Sequence, residues 1–393
     1  MTTIIDPTFF KKTEILNWDL KSSFNISRGS KTSISTILLN LSYRDDSVIS
    51  ESVPYGHYGE SVESVFNEIE SFNLNYSLEL SEILRNDIRE ARKEPKFLNY
   101  SNNELISYLV EERDAHSIVS WQAVESIPTL SQIRRRLNRL MRPGAARNAL
   151  DCALWQLEGF KVELPETLPS SYTIVLDTPE KMIKDAIENK YYPTIKVKVD
   201  RLNLDLIIPK IREVCPKAKI ILDANESFSF DTLRENMKIF VQAKIDLIEQ
   251  PLPADKDHML EFYDSPIPLC ADESFHTYAD FKSIKNKYHA VNIKLDKTGG
   301  LTEATRIAKK AKKNNLLIML GCMVCSSISI WPILQLYKYA DFIDLDGPRF
   351  LKNDSIKGSI YPNTTIKYEN GMMKLNDIRD LYYKNRRFFL KRY

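Results

Sequence analysis

The chain has 393 residues, 43% hydrophobic and 27% charged, which suffices for two domains or for one large barrel with an attached part. Lys and Arg total 55 against 53 Asp and Glu, and this formal charge of +2 excludes a global basic field that attracts nucleic acid or anionic lipid. Charges interrupt any secretory signal in the first 25 residues, and no apolar run reaches the about 18 residues of a membrane span, so we expect a cytoplasmic protein with a small-molecule partner.

The beginning of the chain predicts an α+β domain. Residues 33–55 alternate apolar and polar side chains around a YRDDS turn, as antiparallel strands do, and SVESVFNEIESF at 61–72 has helical spacing. Residues 76–142 are helix-like and rich in charge. The basic run at 134–142 is typical of a solvated helix face on a chain of balanced charge, with an RNA-binding or membrane-binding surface as the alternative.

From residue 172 onward, a short β-branched run followed by a helical stretch recurs at intervals of 22 to 26 residues. This spacing accommodates one strand and one crossover helix per repeat, so we expect eight parallel strands. Such a series favours a barrel of the TIM type. A doubly wound open sheet is the alternative, but its Gly-rich phosphate turn is missing from the sequence. The eight runs are YTIVLD, TIKVKV, IILDAN, DLIEQP, LCADES, VNIKLD, LIMLGC and FIDLDG.

Active sites of such barrels lie at the C-terminal ends of the strands. Here the second to sixth strands end, in order, in Lys198, Asp223, Glu249, Asp272 and Lys294. Three carboxylates at one mouth repel each other unless a cation lies among them, and an all-oxygen donor set suits a hard ion such as Mg2+. Each acid alone is also compatible with a helix cap or a surface ion pair, but their common register favours a metal site.

The lysines indicate the chemistry. Lys196 and Lys198 lie two apart in TIKVKVD and therefore face the barrel interior together. A neighbouring ammonium and partial burial lower the pKa of a lysine, as a base acting near neutral pH requires. Lys294 lies four strands further in a ring of eight, across the mouth from Lys198. Two bases on opposite faces of a metal-bound substrate predict 1,1-proton transfer, with inversion of a carbon next to a carboxylate.

Two interpretations from other classes stay open. Lys198, activated by Lys196, has the character of a Schiff-base lysine in an aldolase-type barrel, although three converging acids have no use in that mechanism. A binding protein without activity is expected to lack a lysine or a ligand, and none is missing. The five cysteines are unlike a disulfide framework, and Cys322 and Cys325 of the CxxC are more typical of buried or site-lining thiols than of a metal or redox pair.

The motifs KVK, LDAN, IEQPLP, ADES and NIKLDKTGG span nearly the whole barrel and closely resemble those of the muconate-lactonizing subgroup of the enolase superfamily. The resemblance implies a (β/α)7β TIM-type barrel at 141–354, an α+β capping domain built from 1–140 and the C-terminal tail 355–393, and one Mg2+ per subunit. The chain departs from this subgroup by a helical insertion around 76–130. The implied roles are metal ligands for Asp223, Glu249 and Asp272, acid/base catalysis for Lys198 and Lys294, a supporting cation for Lys196, and a polar group beside the ligands for Asn225.

Within the subgroup, Asp344 and Asp346 of FIDLDGP match the DxD pair with which dipeptide epimerases bind the α-ammonium group of their substrate. A cap of the following turn is the alternative role for Asp346. ISRGSKTS and VPYGHYGES resemble capping-domain segments of epimerases that prefer an acidic second residue, as in Ala-Glu. This likeness implies that Arg28 meets the distal carboxylate of the substrate and that Tyr58 lies on a lid loop; an interdomain ion pair is the alternative for Arg28.

The resemblance therefore predicts an isomerase, a metal-dependent epimerase acting on an Ala-Glu-like dipeptide of peptidoglycan origin. We also expect a homo-oligomer. Other reactions of the subgroup share the metal and the lysines: racemisation of an N-acylamino acid, the o-succinylbenzoate synthase reaction, and cycloisomerisation. Asp344 and Asp346 argue against them, because an acylated or deaminated substrate has no ammonium group to meet two carboxylates.

Overall fold

The computed structural model describes residues 9–74, 129–355 and 365–375, and it opens with a three-stranded antiparallel sheet. The predicted hairpin is confirmed: Tyr43 pairs with Asp46, and Arg44 between them has a φ of 57°, in the left-handed region that tight turns use. The strands are β1 (Phe9–Ile26), β2 (Gly29–Tyr43) and β3 (Asp46–Ser52).

Helices pack on one face of this sheet. Alternate residues of β2, namely Ile37, Leu39 and Leu41, are fully buried and share a core with the apolar sides of these helices. The first two helices begin at capping boxes of Ser61 and Thr129, whose side chains accept from backbone N–H groups. The insertion expected around 76–130 lies almost entirely outside the described residues. The helices are α1 (Val62–Ser71), α2 (Leu130–Leu140) and α3 (Ala145–Glu158).

The predicted barrel is confirmed as an eight-stranded parallel sheet whose strands follow each other in chain order. Lys198 is in register with Asp223, and Asp223 with Glu249, so the strand ends form one layer. Strand β4 (Thr167–Pro169) precedes the barrel, whose strands are β5 (Ser171–Ile174), β6 (Thr194–Lys198), β7 (Lys219–Asp223), β8 (Leu247–Glu249), β9 (Leu269–Ala271), β10 (Ala290–Ile293), β11 (Leu317–Gly321) and β12 (Phe342–Asp344).

The connections between barrel strands differ in helix content. After β8 and β9 the structure has short 3-10 turns, Asp257–Leu260 and Tyr278–Phe281, where the repeat predicts helices. The other connections carry α4 (Pro179–Glu188), α5 (Leu204–Val214), α6 (Phe230–Gln242), α7 (Leu295–Thr298), α8 (Leu301–Lys313) and α9 (Ser327–Ile333).

Side chains join the two ends of the barrel sheet, β5 and β12. Ser171 Oγ donates a short hydrogen bond to Asp344 Oδ1, and Thr173 N donates to Asp346 Oδ2 at 2.8 Å. Both carboxylates are buried. The acids of the DxD pair therefore hold the seam of the barrel.

The described part of the tail forms a hairpin of β13 (Lys367–Glu369) and β14 (Met372–Lys374), and β14 pairs with β4 at the entry to the barrel. Leu351, after β12, forms an isolated bridge with Leu20 of β1. The domain boundaries at 140 and 354, and a tail that completes the capping domain, stay predictions. Among the described residues, no helix is long and apolar enough to cross a membrane.

The first sheet contacts the barrel through a buried carboxylate. Glu51 of β3 is 2% exposed and accepts hydrogen bonds through Oε2 from both the hydroxyl and the backbone N–H of Ser326. Burial, together with the carboxylates of Asp354 and Asp296, raises the pKa of Glu51 to about 7. The hydrogen bonds from Ser326 and Thr36 lower this pKa but do not cancel the rise. This interface therefore favours a protonated Glu51.

Replacing Glu51 by Gln should reduce the loss of stability at higher pH. The pKa of Glu51 in the folded state exceeds its usual value of 4.5, so the stability that its proton contributes is complete below pH 4.5 and disappears as the pH rises through about 7. Gln keeps an oxygen for Ser326 and has no charge to bury. Between pH 5 and pH 8, the free energy of unfolding should fall by about 1–3 kcal/mol less in E51Q than in the wild type.

Urea denaturation at the two pH values measures this difference. The matched control is E188Q, because Glu188 lies on the solvent side of α4 with a side chain 60% exposed. Equal declines in E51Q and the wild type would contradict a buried, protonated Glu51.

Candidate active site

Three carboxylates lie side by side at the C-terminal ends of neighbouring strands. Asp223 ends β7, Glu249 ends β8, and Asp272 follows β9 directly. Their side chains are at most 1% exposed. The structure therefore brings together the three acids that the sequence assigns to a metal.

Two lysines pair with the outer members of this row. Lys198 Nζ lies 2.6 Å from Asp223 Oδ2 and donates to Asn225 Oδ1 at 2.9 Å. Lys294 Nζ lies 2.6 Å from Asp272 Oδ2. Lys198 ends β6 and Lys294 follows β10, so the two ammonium groups approach the site from strands on opposite sides of the barrel.

Lys196 lies deeper, among the carboxylates. Its Nζ is 2.9 Å from Asp223 Oδ2, 2.8 Å from Glu249 Oε2 and 2.6 Å from Asp344 Oδ2. Lys196 and Lys198 thus share Asp223 Oδ2, and Lys196 also pairs with Asp344, the residue that the resemblance assigns to the substrate ammonium group.

Each of the three carboxylates is also held through its other oxygen. Asp223 Oδ1 accepts from the backbone N–H of Asn225 at 3.0 Å. The remaining two are held by Asn292, whose Nδ2 donates to Glu249 Oε1 at 2.6 Å, and by Lys297, which donates to Asp272 Oδ1. We did not predict Asn292 or Lys297 from the sequence. The available signal was a polar residue inside an apolar strand run, and a second lysine three residues after Lys294.

The site is strongly coupled electrostatically. Burial and the Asp223 carboxylate together raise the pKa of Glu249 to about 8, against the opposing effect of the Lys196 ammonium. Burial also raises the pKa of Asp272, but Lys294 and Lys297 outweigh it and hold that pKa well below its usual range. The middle carboxylate therefore carries the least compensated charge.

The lysines respond in the opposite direction. Burial lowers the pKa of Lys196, yet the carboxylates of Asp223 and Asp344 outweigh it and hold the pKa well above the usual value. Burial also lowers the pKa of Lys294, but the carboxylates of Asp272 and Glu249 outweigh this effect and hold the pKa well above the usual value. For both lysines the neighbouring carboxylates therefore outweigh burial, so the pKa of Lys294 is shifted in the direction opposite to the one expected of a lysine base.

The donor set fits a hard cation. Glu249 Oε2 has no hydrogen-bond donor in suitable geometry, although the Lys196 ammonium lies 2.8 Å away. The raised pKa of Glu249 indicates that its negative charge is not fully compensated by Lys196, so a further positive charge would be stabilised there. Within the described ranges, no three acidic, His or Cys groups surround one common cation position. The Lys196 ammonium occupies the space between Asp223 and Glu249, so a bound cation there requires this ammonium to move.

A cavity of about 760 Å³ lies between the strand ends and the first sheet. The barrel contributes Lys198, Lys294, Asp272, Asn225 and Glu273, whereas Lys196, Asp344 and Asp346 are not among its lining residues. The cavity thus exposes both lysines of the expected acid/base pair to a substrate. Cys322 also lines it and Cys325 is buried, as expected of site-lining or buried thiols.

The loops next to the first sheet contribute Arg28, between β1 and β2, and Tyr58, after β3, to the cavity. Arg28 Nη1 lies 2.8 Å from Glu226 Oε2, and Nη2 lies 2.7 Å from Glu273 Oε1, so both halves of the guanidinium contact barrel carboxylates. Tyr58, in the 3-10 turn Gly56–Tyr58, packs edge-on against His276 with ring centroids 4.5 Å apart. Arg28 therefore forms the interdomain ion pair that the sequence left as the alternative.

The family model described as "Enolase C-terminal domain-like" matches residues 180–377. The chain belongs to this family. The enolase-superfamily membership inferred from the motifs is therefore confirmed.

Several relatives are epimerases or racemases, which are isomerases. The chain is 33% identical over 351 residues to L-Ala-D/L-Glu epimerase of Escherichia coli K12, covering 86% of this chain and 92% of the relative. It is 43% identical over 220 residues to N-acetyl-D-glutamate racemase of a Pseudoalteromonas species, covering 54% of this chain and 70% of that protein. This chain also resembles a crystal structure of an enolase family member from Agrobacterium tumefaciens, with homology to dipeptide epimerases, that contains bound sodium and L-Ala-L-Glu. The two structures superpose with a TM-score of 0.73 at 31% identity, and the match covers 93% of this chain and 97% of the other.

Glu226, after β7, contacts two loop segments next to the first sheet: residues 26–31, through Arg28, and residues 54–60, through His57. Its Oε2 accepts from Arg28 and lies 3.1 Å from His57 Nε2, and its Oε1 accepts from Ala254 N at 2.9 Å. Glu226→Ala should loosen residues 26–31 and 54–60 together, because each loses a partner. Their amide hydrogens should exchange about fivefold faster, which corresponds to about 1 kcal/mol for a partly exposed ion pair.

Hydrogen exchange followed by mass spectrometry measures this effect. E213A is the control, because Glu213 pairs with Lys210 on the solvent side of α5. Unchanged exchange in both segments would show that Glu226 does not hold them.

Proposed function

We propose that this protein is an epimerase that inverts the α-carbon of the C-terminal residue of an Ala-Glu-like dipeptide by two-base 1,1-proton transfer. The observation that carries this proposal is the placement of Lys198 and Lys294, which approach one cavity from opposite sides of the barrel. One lysine removes the α-proton, and the other, in its ammonium form, returns a proton to the opposite face. Inversion follows because the two lysines address different faces of one carbon.

Asp223, Glu249 and Asp272 would hold one Mg2+ per subunit. Three carboxylate oxygens with open positions for substrate oxygens suit this ion. When bound, the ion supplies positive charge that stabilises the negative charge developing on the substrate carboxylate as the α-proton leaves. The relative from Agrobacterium tumefaciens, with its bound sodium and L-Ala-L-Glu, supports a site that takes a cation together with a dipeptide.

The recognition of the substrate ends is proposed from the cavity lining. Arg28, in the turn between β1 and β2, contacts two barrel carboxylates, and the distal carboxylate of a Glu side chain would replace Glu226 or Glu273 as its partner. Tyr58 and Asn225 would form walls of the same pocket. Asp344 and Asp346 remain candidates for the α-ammonium group, although both are engaged at the barrel seam.

A second candidate function is racemisation of an N-acylamino acid, in particular an N-acylated glutamate. The 43% identity to N-acetyl-D-glutamate racemase favours it, and so does the engagement of Asp344 and Asp346 away from the cavity lining. An N-acylated glutamate offers the same two carboxylates as Ala-Glu without the ammonium group. The two-lysine chemistry is identical in both cases.

The remaining expectations are proposals of the same kind. We propose a cytoplasmic homo-oligomer that acts on dipeptides of peptidoglycan origin. The chemistry supporting this origin is the acidic second residue that Arg28 would select. The o-succinylbenzoate synthase and cycloisomerase alternatives have no feature of this site in their favour beyond the shared lysines and acids.

With Mg2+ and L-Ala-L-Glu in D2O, the wild type should introduce deuterium at the α-carbon of Glu and form the L,D epimer. Lys198→Ala and Lys294→Ala should each lose epimerisation by at least about 100-fold, because each removes one acid/base group. Each variant should retain α-exchange with only one of the two epimers, since the remaining lysine faces one side of the carbon. Proton NMR follows both exchange and inversion.

The control for these variants is K287A, because Lys287 pairs with Asp257 outside the cavity lining. Absence of α-exchange by the wild type with every dipeptide and N-acyl amino acid tested would refute the proposal.

The two candidate substrates are separated by comparing kcat/KM for L-Ala-L-Glu and N-acetyl-L-glutamate. A dipeptide epimerase should prefer L-Ala-L-Glu by at least about tenfold, and Asp346→Asn should reduce this preference by weakening the contact with the ammonium group. A preference of similar size for N-acetyl-L-glutamate, unaffected by D346N, would establish the second function instead.

A further inference from the structure

We infer that Asn292 and Lys297 are positioning residues, which decide which oxygen of Glu249 and of Asp272 meets the cation. The inference rests on the proposed function for the presence of a cation, but it concerns this chain's own side chains. Neither residue lines the cavity, so both act through the carboxylates that they touch.

Asn292 lies on β10 and is fully buried. Its Nδ2 donates to Glu249 Oε1 at 2.6 Å, which leaves Glu249 Oε2 directed at the Lys196 ammonium. Its own Oδ1 is buried without a hydrogen-bond partner, which costs about 1–3 kcal/mol. A side chain chosen for stability alone would be apolar here, so this amide is explained by its contact with Glu249.

The neighbouring strand makes room for this amide. Gly321 ends β11 beside Asn292, and a Cβ at this glycine would lie 2.4 Å from Asn292 Oδ1 and 2.8 Å from Nδ2. Any side chain at Gly321 would therefore displace Asn292 from Glu249. Two strands thus cooperate to fix one carboxylate oxygen.

Lys297 plays the corresponding part for Asp272. Its side chain is 0% exposed, and Nζ donates both to the backbone oxygen of Asp272 at 2.6 Å and to Oδ1. This arrangement leaves Asp272 Oδ2 for the Lys294 ammonium at 2.6 Å. A buried ammonium needs full pairing, and here both partners belong to the same residue.

The pattern is the same for all three carboxylates. Asp223 Oδ1 is held by the backbone N–H of Asn225, and Asp223 Oδ2 faces Lys196 and Lys198. In each acid, one carboxylate oxygen accepts a hydrogen bond from Asn225 N, Asn292 or Lys297. The second oxygen of each acid therefore faces Lys196, Lys198 or Lys294. Fixing ligand oxygens in this way raises cation affinity, and removing such outer contacts in metal sites costs about 10- to 100-fold in affinity.

The test measures cation binding directly, with Mn2+ as the probe and calorimetry as the readout, in the wild type, Asn292→Leu and Lys297→Met. Each variant should bind Mn2+ about 10- to 100-fold more weakly than the wild type. The matched control K287M removes a lysine that pairs with a buried acid at 2.5 Å elsewhere, and its affinity should stay within about twofold of the wild type. Asn292→Ser and Lys297→Gln replace any variant that does not fold.

Thermal unfolding without added metal separates positioning from a structural role. A folded variant with a lower Tm and an unchanged Kd for Mn2+ would overturn the inference, as would a wild type that does not bind Mn2+. Epimerase assays on the same samples distinguish the two proposals. Weaker Mn2+ binding by the variants, together with no inversion of any substrate by the wild type, would support the positioning roles and refute the proposed reaction.

Discussion

The burial of ionised side chains inside the barrel is the constraint on which the rest of the structure depends. A charge removed from water is tolerated only when it is paired and hydrogen-bonded, and removal of one partner leaves the other uncompensated. The interior layer balances four lysines against four acids: Lys196, Lys198, Lys294 and Lys297 with Asp223, Glu249, Asp272 and Asp344. The in-register ends of β6, β7 and β8 bring three of these eight groups, Lys198, Asp223 and Glu249, together without loops.

This balance also explains the position of Asp344. A cation held by the three proposed ligand carboxylates would take the place of the Lys196 ammonium, and that ammonium would then need another partner in the interior. Asp344 Oδ2 supplies one at 2.6 Å, while Ser171 holds the other oxygen across the seam. The carboxylate that helps to close the barrel is therefore also the one that would hold Lys196 if a cation displaced it.

The sequence predicts the parts of this site that local spacing determines. Period-two alternation places Lys196 and Lys198 on one face, and the recurring repeat places Asp223, Glu249 and Asp272 at successive strand ends. The contacts of Asn292 and Lys297 depend on side-chain directions across neighbouring strands, which one sequence does not specify. The same holds for Asp344, whose pairing with Lys196 requires knowing how the last strand meets the first. The repeat spacing fixes the positions of the strands but not the helix content of the connections, so the 3-10 turn Asp257–Leu260 after β8 was not predictable from it.

The first sheet reaches the site through a small number of charged contacts. Arg28 is held by Glu226 and Glu273, so its charge is compensated before any substrate binds. The proposed recognition of an acidic side chain by Arg28 would then be an exchange of carboxylates, which would link substrate choice to the contact of Arg28 with the barrel. The shared partner Glu226 also extends this link to His57 on the neighbouring loop.

The central claim is that the three strand-end carboxylates form a cation site beneath a cavity with two opposed lysines. Anomalous diffraction from crystals soaked with Mn2+ tests it most directly. We predict one peak in direct contact with Asp223 Oδ2, Glu249 Oε2 and Asp272 Oδ2, with the Lys196 ammonium displaced toward Asp344. Soaked crystals with no peak at these oxygens, or with Lys196 still between Asp223 and Glu249, would contradict it.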